Sequence, residues 1–313
     1  MKTALVLSGG SIKGAFQAGA IQEVLESGIK PTAIYGISVG SLNGGFLADK
    51  AGRDFAQSQS IDWPKIGEEL ADFWRTKITS FDKIGKKHGF FSLAKSLVFS
   101  TFDGMIDTKR LRDLINSIMT EENIQNAPII YKAGTVNIAN GKLILADKTT
   151  TNLVKYIIAS TAIPVVMPVS MISKQPFVDG GVRDVATLNP AIEDGADEII
   201  CILCQPKDLS ATSINLGKLE EFAERIMEIV VNETVNNDIE WAQYINEHCP
   251  EDGSPVTSGP FEGYRHVKLT IIRPTGPLDI KLTDFNANDI KRIYDNGREI
   301  AKKALHPEPV PIV

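Results

Sequence analysis

The chain has 313 residues, of which 43% are hydrophobic and 23% charged. These are globular values that exclude intrinsic disorder and a collagen-like repeat. Its 33 Lys and Arg against 39 Asp and Glu leave a net charge of −6, which argues against a nucleic-acid binder needing a basic surface. No run reaches the roughly eighteen apolar residues of a membrane span. The most apolar stretch, 157–172, is broken by Ser160, Thr161, Pro164 and Pro168. The residues after Lys2 lack a secretory cleavage pattern. Cys201, Cys204 and Cys249 form an odd, sparse set, suited to a reducing compartment. The expected location is the cytoplasm.

In chain order, Thr3 to Ser8 reads as a buried strand, and Ala15 to Leu25 as a helix stopped by Gly28. Ala33 to Ile37 reads as a second strand, and Val39 to Ala51 as a second helix closed by Gly52. This alternation predicts parallel strands with right-handed crossovers in a layered α/β domain. Residues 129–138 and 142–146 suggest a hairpin about Asn140-Gly141. A helix over Leu153 to Thr161, stopped by Pro164, precedes an apolar strand at Glu198 to Leu203. Two long amphipathic helices, Lys218 to about Glu247 and Asp284 to about Leu305, flank a loop at Pro250 to Gly263. In the first of these, Leu219, Phe222, Ile226 and Ile229 recur at the spacing of a core-facing stripe. The whole chain, 1–313, reads as one domain. Its motif-bearing part covers 3–205, with a cap-like insertion about 60–125 and a C-terminal helical part about 215–305.

Gly36-Ile37-Ser38-Val39-Gly40 matches Gly-x-Ser-x-Gly between a predicted strand and a predicted helix. A serine on such a turn is thrown clear of the backbone, beside the N–H groups and positive dipole end of the following helix. Ser38 is therefore a candidate nucleophile. Gly9-Gly10-Ser11-Ile12-Lys13-Gly14 lies after the first strand, where glycines let consecutive N–H groups face an anion. It matches neither nucleotide-binding glycine pattern, and the second strand ends in Ser38 rather than an acidic ribose ligand. Two adjacent parallel strands thus bring an oxyanion-binding loop and a nucleophile to one sheet edge. Phe177-Val178-Asp179-Gly180-Gly181 offers an aspartate at a glycine turn, a weak signal on its own.

Together these pieces resemble the patatin-like phospholipases: Gly-Gly-x-x-Lys-Gly, then Gly-x-Ser-x-Gly, then Asp-Gly-Gly. The segments Ala159-Ser160-Thr161-Ala162-Ile163-Pro164, Asn189-Pro190 and 195–200 add to the likeness. The resemblance implies a three-layer α/β/α fold with a mainly parallel central sheet and a serine–aspartate dyad without histidine. Ser38 would be the nucleophile, Asp179 its base, and the amides about Gly10, Ser11 and Ile12 the oxyanion hole. Gly9, Lys13, Gly14, Gly36, Gly40, Gly180 and Gly181 would support them. It implies no metal and no cofactor, and a lipid or ester substrate cleaved by a phospholipase A, lysophospholipase or carboxylesterase reaction. Ser11 departs from the family pattern, which has a third glycine there, and serine tolerates positive φ poorly.

Two alternatives stand beside this reading. One is a Ser-Asp-His triad with His266 as the last member; the other is a non-catalytic lipid-binding relative, motivated by Ser11. The apolar cluster Phe90, Phe91, Leu93, Leu97, Val98, Phe99 and Phe102, with Lys83, Lys86, Lys87 and Lys95, suits peripheral membrane contact through about 83–102. It suits a helical insertion packed on the core equally well. Cys201 and Cys204 have metal-like spacing, but i and i+3 of a strand point to opposite faces.

Overall fold

Three short segments, β1 (Thr3–Leu7), β2 (Ala33–Ile37) and β9 (Glu198–Ile202), are buried along their whole length. Strands covered on both faces show this pattern, in contrast to the alternation of a half-exposed sheet. The computed structural model describes residues 1–88, 104–211, 214 and 217–307. Between β1 and β2 lies α1 (Gly14–Glu26), and after β2 come α2 (Val39–Ser58), α3 (Trp63–Lys77) and α4 (Phe81–Ile84). A ribbon of β3 (Lys86–Lys87) and β4 (Ile106–Asp107) precedes α5 (Lys109–Ile118) and α6 (Glu121–Asn126). The hairpin β5 (Ile130–Asn137) and β6 (Lys142–Asp147) leads to α7 (Leu153–Ser160), β7 (Ser170–Ile172) and β8 (Gln175–Asp179). Then α8 (Leu188–Glu193), β9, α9 (Leu219–Glu247), β10 (Lys268–Ile272) and α10 (Ala287–Leu305) complete the described elements.

The sheet order is β10-β9-β1-β2-β5-β8-β7, with β6 also paired to β5. From β10 to β5 every pairing is parallel, whereas β6, β8 and β7 join antiparallel. Alternate residues supply two separate cores, as the period of two in a strand requires. Leu5, Leu7, Ile34, Ile200 and Ile202 pack into one with residues of α1, α2, α3 and α10. Ala4, Val6, Tyr35, Ile199 and Cys201 pack into the other with Ala191 of α8 and Val235, Ile239 and Ala242 of α9. The result is a three-layer α/β/α arrangement around a mostly parallel sheet.

Three expectations need correction. Helix α2 does not close at Gly52 but runs on to Ser58. A Cβ at Gly52 would lie 1.7 Å from the Asn123 carbonyl oxygen, so this glycine permits a close helix contact and is not a stop signal. The described part of 60–125 is not a cap: Trp63, Ile66, Leu70 and Trp74 of α3, with Ile115 and Ile124, are buried in the first core. The aromatic cluster at 90–102 and Lys95 lie outside the described residues, while Lys83, Lys86 and Lys87 are exposed.

The third correction concerns α9. Leu219, Phe222, Ile226 and Ile229 face outward, each at least 42% exposed, and the core stripe is instead Val235, Ile239, Ala242 and Ile245. Both sets recur at helical spacing, so periodicity alone does not select the buried one.

Helix α9 also packs on the turn that follows β8. There Asp238 faces the Val185 and Ala186 amides and Asp184, while Asp184 Oδ1 and Asp238 Oδ2 are buried without donors. Burial, reinforced for Asp238 by the Asp184 charge, raises the two carboxyls to about 6 and about 7 respectively. Both values lie above the ordinary carboxylate value near 3.9. The folded state therefore holds protons that the unfolded chain has released, and stability falls as pH rises from about 4 through about 7. Asp238→Asn keeps an acceptor for the two amides and offers an N–H to Asp184. Thermal unfolding of this variant should show a higher Tm than wild type at pH 8 and little difference at pH 4; a lower Tm at pH 8 would refute the account.

Candidate active site

The site begins with a change of partner along β5. Residues 130–134 of β5 pair with β2, ending at Ile37 opposite Gly134. Residues 135–137 pair with β8, which arrives from the opposite direction and ends with Asp179 opposite Thr135. Because β6 occupies the other edge over 132–137, β2 and β8 share one edge and meet head to head. Ser38 follows Ile37 directly. The register alone thus brings Ser38 and Asp179 together.

The backbone then turns sharply. Ser38 has φ 55° and ψ −125° at the N-terminus of α2, a conformation L-residues rarely adopt and one that stores about 1–3 kcal/mol of strain. A Cβ at Gly36 would lie 2.4 Å from the Gly40 carbonyl oxygen, and one at Gly40 2.1 Å from that of Leu7. Both flanking glycines are thus required by close backbone approach. Ser160, at the end of α7, clamps the turn by accepting from the Ser38 N–H at 2.8 Å and donating to Gly134 O at 2.5 Å. Two residues on, Ala162 O accepts from the Asp179 N–H at 2.9 Å. One helix end therefore holds both strand termini.

The Ser38 hydroxyl lies beside the Asp179 carboxylate, near enough to oppose the rise of its pKa, and both residues are only 5% exposed. Asp179 Oδ1 also accepts from the Gly181 N–H at 2.8 Å. Burial lifts the Asp179 carboxyl to about 6, opposed by the neighbouring Ser38 hydroxyl and the Gly181 N–H. A carboxylate raised by desolvation is a stronger base than one in water. Gly180 sits against Gly134 O, where a Cβ would come within 2.6 Å.

The loop after β1 faces this pair. Ser11 to Lys13 form a 3₁₀ turn running straight into α1, so the Ser11 and Ile12 amides have no partner within the turn. Gln205 Nε2 donates to Gly9 O at 3.2 Å, and Gln17 Nε2 to Ser8 O at 3.2 Å, fixing the loop from below. Ser11 takes φ 54°, the left-handed region that its replacement of a glycine makes costly, and its hydroxyl is buried without a partner. Lys13 pairs with Glu228 of α9 at 2.7 Å, and Arg225 reaches the same carboxylate at 2.8 Å. Burial pushes Glu228 up, but these two cations outweigh it and hold the carboxyl below its ordinary value.

A cavity of about 470 Å³ opens over Ser38, Asp179 and the loop. Its apolar wall includes Ile163, Leu209, Met227, Val231, Leu278 and Leu282, and its charged part includes Lys13, Arg225 and Glu228. Among the described residues no histidine lines it. His266 precedes β10, which runs parallel to β9, so it lies at the edge of the sheet opposite Ser38. The described residues contain no cluster of three or more His, Cys, Asp or Glu able to hold a metal. Cys201 and Cys204 belong to different cores, and burial raises both thiols. Sequence reasoning did not assign roles to Ser160, Gln17 or Gln205; only Ser160 lay in a segment already noted for its resemblance.

Comparison with known proteins bears on this arrangement. The family model described as patatin-like phospholipase matches residues 5–192. No curated protein matches. Among solved structures, VipD from Legionella pneumophila aligns over 97% of this chain and 66% of its own, with 14% identity and a TM-score of 0.41. No helix among the described residues is long and apolar enough to cross a membrane. With its family model covering β1 through α8, the chain belongs to the patatin-like phospholipases, a family of lipid acyl hydrolases.

Proposed function

We propose that this protein cleaves acyl esters of lipids through a Ser38 acyl-enzyme, with Asp179 as general base. The observation that carries this reading is the juxtaposition of the strained, buried Ser38 and the buried Asp179, set by the register of β2 and β8 on β5, at the floor of a largely apolar cavity. As Ser38 Oγ attacks the ester carbonyl, its proton passes to Asp179. The developing oxyanion is met by the amides about Gly10, Ser11 and Ile12, at the N-termini of α1 and its leading turn. Each such donor is typically worth about 10²–10³ in rate. Asp179 returns the proton to the leaving alcohol, and water then releases the acyl group by the same route.

A carboxyl at about 6 is matched to this work better than an ordinary aspartate. The apolar wall suits an acyl chain, which favours phospholipase A, lysophospholipase or carboxylesterase chemistry. The triad alternative loses its support because His266 is on the far edge of the sheet.

A fluorophosphonate probe should label wild type but not Ser38→Ala, with both folded by circular dichroism; labelling of the alanine variant would remove Ser38 from the role. Asp179→Asn should reduce kcat on p-nitrophenyl esters by at least about 10³, and near-normal turnover would reject the base.

Since Asp179 must be ionised to accept the proton, kcat/KM should rise with pH through about 6. An ascending limb near 4 would mean that the desolvated carboxylate is not the titrating group.

Ser11→Gly should relieve about 1 kcal/mol of left-handed strain, raising Tm while preserving or increasing turnover. Loss of turnover would show that the serine is needed in the loop.

A further inference from the structure

Helix α9 carries its polarity the wrong way round for a surface helix. Its charged residues Glu221, Arg225 and Glu228 line the cavity, while Leu219, Phe222, Ile226, Ile229 and Val230 face outward, each at least 41% exposed. At 3.6 residues per turn these five share an arc of about 100° over about 17 Å; beyond the exposed Glu233, Asn237 and Glu240, Trp241 and Tyr244 form a second apolar patch on the same side of the helix. Trp241 and Tyr244 are each 46% exposed, and their rings stack at 5.8 Å. A soluble helix normally turns such residues inward, and the contiguous exposed patch Leu219, Phe222, Ile226, Ile229 and Val230 marks a contact surface.

We infer that the outer face of α9 docks on an electrically neutral, zwitterionic lipid surface and passes acyl chains to the cavity. This rests on the lipid-ester reading of Ser38 and Asp179. Two features select the occupant. First, the stripe is continuous with the cavity wall: Met227 and Val231 line the cavity, while their neighbours Ile226 and Val230 stand on the outer face. A lipid tail leaving a bilayer along this rim stays among apolar side chains. Second, α9 holds eight acidic residues against one arginine, and that arginine is committed to Glu228. The exposed Glu233 and Glu240, on this same side between the two apolar patches, repel an anionic surface and leave a zwitterionic one unopposed. Half-exposed Trp and Tyr rings at one end suit the headgroup level, where one side is apolar and the other wet.

The test is flotation of the Ser38→Ala protein, which spares the lipid, with vesicles of dioleoylphosphatidylcholine or of dioleoylphosphatidylglycerol. The expected result is co-flotation with phosphatidylcholine and weaker flotation with phosphatidylglycerol at low salt. Adding Ile226→Glu and Ile229→Glu should cut the phosphatidylcholine partition at least about tenfold. In the otherwise wild-type chain the same pair should leave hydrolysis of a soluble short-chain p-nitrophenyl ester unchanged. Brominated phosphatidylcholine should quench the fluorescence of Trp241 but not of a Trp241→Phe variant, since Trp63 and Trp74 are 3% and 1% exposed. Active protein that ignores phosphatidylcholine, or a glutamate variant that floats as well as its parent, overturns the inference. So does loss of a dimer by the glutamate variant without vesicle binding, which would make a second copy the occupant. Flotation by a protein inert on every ester overturns the catalytic reading and leaves the docking face standing.

Discussion

Strand β5 exchanges one neighbour for another along a single edge, and the rest of the site follows from where that exchange falls. Between Gly134 and Thr135 the parallel β2 stops and the antiparallel β8 begins. Neither Ser38 nor Asp179 needs a long flexible loop to find the other, because each is the first residue that its strand can no longer pair or the last that it can. Ser160 sits over the junction, bonded to Ser38 and Gly134, so the elbow's strain is opposed by hydrogen bonds that are buried and hence costly to break. The remaining requirement of the proposed chemistry, amides to face an oxyanion, is supplied by the loop after β1, which pairs with β2 in register Leu7 to Gly36. Three adjacent strand ends therefore set every distance in the proposed chemistry.

How much of this was legible in the sequence depends on the range over which each signal acts. The β1–α1–β2–α2 order, the hairpin at Asn140-Gly141 and the serine elbow are local, set by turn residues and runs of five or six apolar side chains. They were legible to within one or two residues, apart from the overrun of α2 past Gly52. That overrun depends on Asn123 being packed against the helix, a contact that nothing near Gly52 announces. The part proposed for Asp179 was readable only through its resemblance to a family pattern, since Asp-Gly pairs recur along the chain. Ser160 was silent as chemistry, because a helix-terminal serine has many uses and its two partners come from distant strands. In α9 the failure was one of degeneracy: two stripes of aliphatic residues wind round one helix, and only the tertiary position of the sheet decides which is covered.

Burial without matched donors is the common electrostatic theme. It raises Asp179 to about 6, and it raises Asp184 and Asp238 in the turn just beyond to about 6 and 7. The two cases differ in what opposes the burial. Asp179 accepts from the Gly181 N–H and lies beside the Ser38 hydroxyl, so it ionises near neutrality while remaining basic enough for the proposed role. Asp184 and Asp238 each keep a buried oxygen with no donor, and their mutual repulsion costs stability where the proposed base is active. The fold thus places a destabilising pair in the segment that carries its proposed base, between β8 and α9.

Helix α9 joins these features because its directions do different work. One face packs Val235 and Ile239 against the sheet, and Asp238 abuts the turn after Asp179. Another presents Glu228 to Lys13 in the glycine loop after β1, so displacement of the N-terminal half of the helix breaks an ion pair to that loop. The outer face of its N-terminal half is apolar. If the proposed docking face binds a lipid surface, the same helix that touches it also touches the glycine loop through Lys13 and the turn beyond Asp179, so a shift of its N-terminal half on the surface would reach both.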